Sequence, residues 1–151
     1  MVAPESLGAE GNPFEQDIER GKIGEFVRAV HATHPDHWQG QRPVIPPTFL
    51  GTQFFWEDRV EGANPWHLVQ MSQERGMHAE QEYVFHGPPP RAGDRLFATS
   101  RITDIWEKPS RRAGTLTFVK MVTEFRDEHG TLRAEAILTG VETARPPAEE
   151  G

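Results

Sequence analysis

The sequence predicts an α+β domain in which one long antiparallel β-sheet wraps around a central helix. Three observations carry this expectation. Amphipathic helical spacing is confined to the residues before Pro35, a compact apolar stretch follows, and from Met77 onward long segments alternate or carry β-branched and aromatic residues between turn signals.

Residues 1–12 are small, polar and glycine-bearing, and residues 145–151 are rich in Pro, Ala and Glu. Both are expected to fray as flexible tails around a single domain over 13–144. A short strand is expected near Phe14 to Ile18. From Gly21 the positions Ile23, Phe26, Val27 and Val30 follow the i, i+3, i+4, i+7 spacing of an amphipathic helix, with Lys22, Glu25 and Arg28 on its wet side. Pro35 closes that helix. Pro46-Pro47 opens a second helical stretch from about Thr48 to Asp58. With Phe49, Leu50, Phe54, Phe55 and Trp56 it is apolar on nearly all sides, which predicts burial. Segments 78–86, 94–107, 115–126 and 131–143 read as strands, and Asp127 to Gly130 as a hairpin turn. A sheet wrapped around one helix keeps an open edge, so pairing with a second copy or a homologue is expected.

Composition bounds the function. At 151 residues the chain can bury about 70% of its unfolded surface in one core. Its 23 acidic and 16 basic side chains give a net charge of −7, which argues against a broad nucleic-acid footprint. The absence of cysteine excludes disulfides, thiolate metal sites and cysteine nucleophiles. No apolar run approaches the roughly 18 residues of a membrane span, and Met1 to Asn12 lacks a signal-peptide pattern, so the expected location is cytoplasmic, with no membrane partner. Neither a cofactor nor a metal is expected. His31, His34 and His37 recur at intervals of three, but Pro35 breaks the helix between them, so they do not share one face.

Several blocks, taken together and in order, identify a resemblance over roughly residues 14–143. They are Pro46-Pro47-Thr48-Phe49-Leu50; Glu80-Gln81-Glu82-Tyr83 with His86-Gly87-Pro88; Arg91-Ala92-Gly93-Asp94-Arg95-Leu96; Trp106-Glu107-Lys108 with Arg111-Arg112 and Gly114; and Thr117-Phe118-Val119. This pattern resembles the MaoC-like hot-dog hydratases and dehydratases, in particular their N-terminal, first-half type. The resemblance implies a hot-dog fold and an acyl-thioester substrate. Such enzymes use an Asp-x-Asn-Pro-x-His motif at the end of the first long helix, and the matching stretch here is Ala32-Thr33-His34-Pro35-Asp36-His37. Proline and the last histidine match, histidine stands for asparagine, and Ala32 stands where the family has its catalytic aspartate.

Adding or removing water at an acyl thioester needs a base for the C2 proton, an acid for the hydroxyl, and donors for the developing enolate oxygen. Alanine supplies none of these. The resemblance therefore implies a subunit of an enoyl-CoA hydratase or (3R)-hydroxyacyl-thioester dehydratase that is catalytically incomplete. It would work with a homologous MaoC-like subunit, in a heterodimer or heterotetramer, that carries the Asp/His pair. Two alternatives stay open: an independently active homodimer, either a hydratase or a hot-dog thioesterase, and a non-enzymatic binding module for acyl-CoA or acyl-carrier protein. The candidate catalytic residue is His37, which also has a plain reading as a loop histidine bonded to backbone. Asp36 is the immediate neighbour of His37 and is expected to point elsewhere. Candidates for thioester contact are Lys108, Arg111 and Arg112 in a turn, where cations could meet carrier phosphates, and Pro47, Thr48 and Phe49 at the entry to the buried helix. The bland readings are a solvated hairpin tip and core packing.

Overall fold

The computed structural model describes residues 1–145. Five strands form one antiparallel sheet in the order β1-β3-β4-β5-β2: β1 (Phe14–Asp17), β2 (Gly76–Phe85), β3 (Arg95–Ser110), β4 (Gly114–Arg126) and β5 (Leu132–Thr143). Helix α1 (Arg20–Ala29) follows β1, and α2 (Phe54–Glu57) continues a 3₁₀ turn over Phe49–Gln53. This is the hot-dog fold: a curled antiparallel sheet around a short central helix.

Alternation explains the sheet. In β4, Val119, Met121, Thr123 and Phe125 are buried while the residues between them are more exposed, the period-2 pattern of a strand with one covered face. Phe125, with Leu96 and Ala98 of β3 and Ala134 and Ala136 of β5, clusters with Ile23 and Val27 of α1 and the wholly buried Phe49 and Leu50. Phe26 sits edge-to-face on Phe49 at 5.5 Å between ring centres. A smaller core of Val2, Val69, Ile102, Val119 and Met121 lies further along the sheet. The ladder between β3 and β4 shifts by one residue between Ile102 and Asp104, a bulge at Thr103.

The structure corrects two expectations. Residues 1–12 are not a frayed tail: Val2, Ala3 and Ser6 are buried, and the segment runs along β3, with Gly8 N–H donating to Ile102 O and Gly11 N–H to Ser100 O, both at 2.9 Å. The physical reason is that Val2 closes the smaller core while Ala3 N–H bonds Val69 O at 2.9 Å, a contribution too small for composition to reveal. The stretch Thr48 to Asp58 is not one uniformly buried α-helix. Its first half is 3₁₀, and Phe54 and Phe55 remain 48% and 47% exposed, because only one side of the stretch faces the sheet. Of the expected C-terminal tail 145–151, residues 146–151 lie outside the described residues.

Candidate active-site groove

Helix α1 ends in a Schellman motif: His31 takes the left-handed conformation (φ 53°), and Ala32 N–H donates to Val27 O at 3.0 Å. This termination turns the chain out of the helix and sets Ala32 half-buried against the core. His34 then caps the 3₁₀ turn Pro35–His37, its Nδ1 accepting from Asp36 N–H at 3.3 Å. The next turn brings His37 beside Val44.

His37 is half-buried, and its Nδ1 lies 3.0 Å from the Val44 carbonyl. A carbonyl only accepts, so Nδ1 carries the proton and Nε2 keeps the lone pair of the neutral ring. Asp36 does not pair with His37; its carboxylate lies 3.9 Å from His34 Nδ1 and is exposed. His37 and Ala32 both line an open groove of about 710 Å³ beside α1, together with Arg20, Arg28, His31 and Trp38. Among the described residues no carboxylate lines this groove, and its charged side chains are both arginines. No three metal-capable side chains converge among the described residues either.

The other predicted contacts fall elsewhere. Pro47 and Thr48 are exposed at the mouth of the 3₁₀ turn, whereas Phe49 is a core residue with no exposed surface. Lys108 is not in the turn itself but near the end of β3, its Nζ 5.4 Å from the Phe118 ring centre, and Arg111 and Arg112 are exposed at the tip. At about 3.3 Å per residue, the strand from Leu96, which packs beneath α1, to Lys108 spans nearly 40 Å of chain. The structure therefore does not bring the basic turn and His37 into one site of this chain.

A narrow, mainly apolar cleft of about 180 Å³ between α2 and the sheet, with a few polar groups at its wall, has no counterpart in the sequence expectations. Glu57, only 3% exposed, lies 3.3 Å from Asn64 Nδ2 and 3.4 Å from the Ser100 hydroxyl, while Gln53 donates to Thr123 at 3.1 Å. Burial pushes the Glu57 carboxyl above its ordinary value, against the Ser100 hydrogen bond that favours its ionised form. The signal in the sequence was Gln53 and Glu57 at i, i+4 within an otherwise aromatic stretch.

The sheet curled around a short helix is the hot-dog fold, and comparison with known proteins agrees. The model of the family described as "FAS1-like, dehydratase domain region" matches residues 5–135, and the chain belongs to that family. No curated protein sequence matches it. Among solved structures it is similar to the HadBC (3R-hydroxyacyl-ACP dehydratase) complex from Mycobacterium tuberculosis, at 23% identity and a TM-score of 0.69, over 92% of this chain and 99% of that one. The ChsH1-ChsH2 complex of the same organism matches at 14% identity and a TM-score of 0.67, over 92% of this chain and 88% of that one. The MaoC-like dehydratase from Rhodospirillum rubrum matches at 16% identity and a TM-score of 0.61, over 97% and 99%. These likenesses establish the hot-dog fold. No helix among the described residues is long and apolar enough to cross a membrane.

Proposed function

We propose that this chain is a cytoplasmic subunit of an enoyl-CoA hydratase or (3R)-hydroxyacyl-thioester dehydratase that binds the acyl-CoA or acyl-carrier-protein thioester but does not complete the reaction alone. A homologous MaoC-like subunit supplies the Asp/His pair. One observation carries this reading: among the described residues, the groove that holds His37 contains Ala32 and no carboxylate. A neutral imidazole with its Nε2 lone pair can accept a proton, yet among the described residues lining the groove no carboxylic acid is there to protonate a departing hydroxyl, and loss of one such partner typically removes about 10²- to 10⁴-fold in rate. Arg20 and Arg28 favour an anionic ligand in the groove, which suits the phosphates of a thioester carrier. That two of the similar folds are hot-dog subunits in complexes supports the assembly.

The test is hydration of a short enoyl-CoA by the purified chain, alone and with His37→Ala. Turnover at background in both is expected. Turnover at ordinary enzyme rates that His37→Ala abolishes would establish the independently active homodimer instead, and release of free coenzyme A would establish the thioesterase.

A further inference from the structure

Strand β2 is the long free edge of the sheet. It ends the strand order, runs ten residues from Gly76 to Phe85, and is exposed at every position from Met77 to Glu82. The opposite edge, β1, has only four residues. The outward-facing N–H and C=O groups along this strand are a template for another strand, and the His78 ring lies 3.0 Å from one carbonyl of the strand, that of Glu80. Exposed Met77 and Phe54 lie beside it and add apolar area that a partner would bury.

The charges on this edge discriminate between partners. Glu80 and Glu82 lie opposite Thr139 and Ile137 of β5 and share the outer face of the sheet. Neither forms an ion pair among the described residues, and β2 contains no lysine or arginine. Consider a second copy added antiparallel about a two-fold axis. Directly opposed residues then lie on the same face, and the two same-face registers with the greatest overlap, nine of the ten residues, set Glu80 against its own copy or against the copy's Glu82. Both arrangements bring like charges face to face. Sliding the copies to offer His78 to Glu80 shortens the ladder and runs through the irregularity between His78 and Glu80.

We infer that the β2 edge selects against self-pairing and fits a second, homologous hot-dog chain that presents basic side chains opposite Glu80 and Glu82. This rests on the reading that the chain works with a homologous subunit and names the chemistry of that subunit's edge. Backbone pairing and the flanking apolar side chains hold the pair together, and the two carboxylates decide which pairs form.

Sedimentation of three proteins tests the inference without recourse to activity, so its outcome is separate from that of the hydration assay. They are the native chain, E80Q/E82Q, and E80K/E82K, which serves as a hot-dog chain with a basic edge. In about 0.15 M salt at micromolar concentration the native chain should be monomeric, and a one-to-one mixture with E80K/E82K should form dimers. The neutral variant alone should self-associate at least about tenfold more tightly than the native chain, because opposed like charges are removed. A native homodimer whose affinity E80Q/E82Q leaves unchanged would overturn the inference, as would a mixture that stays monomeric. Should the lysine variant not fold, the neutral variant decides alone.

Discussion

Arg75 Nη2 donates to Glu142 Oε1 at 2.7 Å, on a carboxylate that is only 4% exposed. Burial works to raise the Glu142 pKa. The Ser72 N–H at 2.9 Å, the Arg75 guanidinium and the N-terminal amine outweigh it and hold the group below its ordinary value. A depressed carboxyl pKa contributes stability above the unfolded value of 4.5, lost as pH falls through the lower folded value. Arg75→Ala should therefore destabilise the fold at neutral pH by about 2–4 kcal/mol and flatten its acid sensitivity. Chemical denaturation between pH 3 and 7, with roughly half-unit steps, measures both.

Glu57 behaves in the opposite sense. Its folded pKa is raised, chiefly by burial, so the protonated form is favoured in the folded state. Its contribution is fully present below 4.5 and is lost as pH rises through the folded value. The Glu57→Gln variant should gain on the native chain as pH rises, and thermal melts at acid and alkaline pH compare the two. A constant difference across that range would refute the assignment.

Gly11 has a role that space alone dictates. A Cβ there would lie 1.8 Å from the Ala63 carbonyl oxygen, and backbone cannot give way as a flexible side chain can. Gly11→Ala should cost at least about 2 kcal/mol, read as a fall in Tm. Retained stability would mean that the N-terminal segment does not hold its place along β3.

On the outer face, Trp106 and Phe118 stack at 5.1 Å with their planes 9° apart. A double-mutant cycle with leucine at both positions should return a coupling of about 0.5–1.5 kcal/mol.

At the tip of the same hairpin, Arg111 and Arg112 are exposed. If the turn meets carrier phosphates once the homologous subunit is bound, the double alanine variant should weaken acyl-CoA binding at low salt by about 1–3 kcal/mol, with Tm unchanged. Calorimetry with that subunit present reads the effect, and unchanged affinity leaves the turn a solvated tip.

The strands were legible to within a few residues because alternation along β4 and the first half of β3 is enforced by a buried face on one side and water on the other. Helix α1 was equally plain from Ile23 and Val27. What escaped reading depended on partners distant in sequence. Val2 looks like a tail residue until Val69 and Ile102 are known to pack with it. Phe54 and Phe55 look buried until the sheet is seen to cover only one side of their turn. Within the site, Ala32 and His37 were readable as a departure from a motif. The Glu57 cleft was not, since Ser100 and Thr123 come from strands far along the chain.

The bulge at Thr103 changes which positions of β3 face inward. Up to Ile102 the even-numbered residues Leu96, Ala98, Ser100 and Ile102 point inward; beyond the bulge Ile105, an odd position, takes over. Inserting or deleting one residue between Leu96 and Ile102 would turn inward-facing side chains out to water. At Thr103 the same event only adds to or removes an irregularity already accommodated. Length variation along this strand is therefore tolerated at one point, and chains of this family that differ by a residue in β3 should differ there.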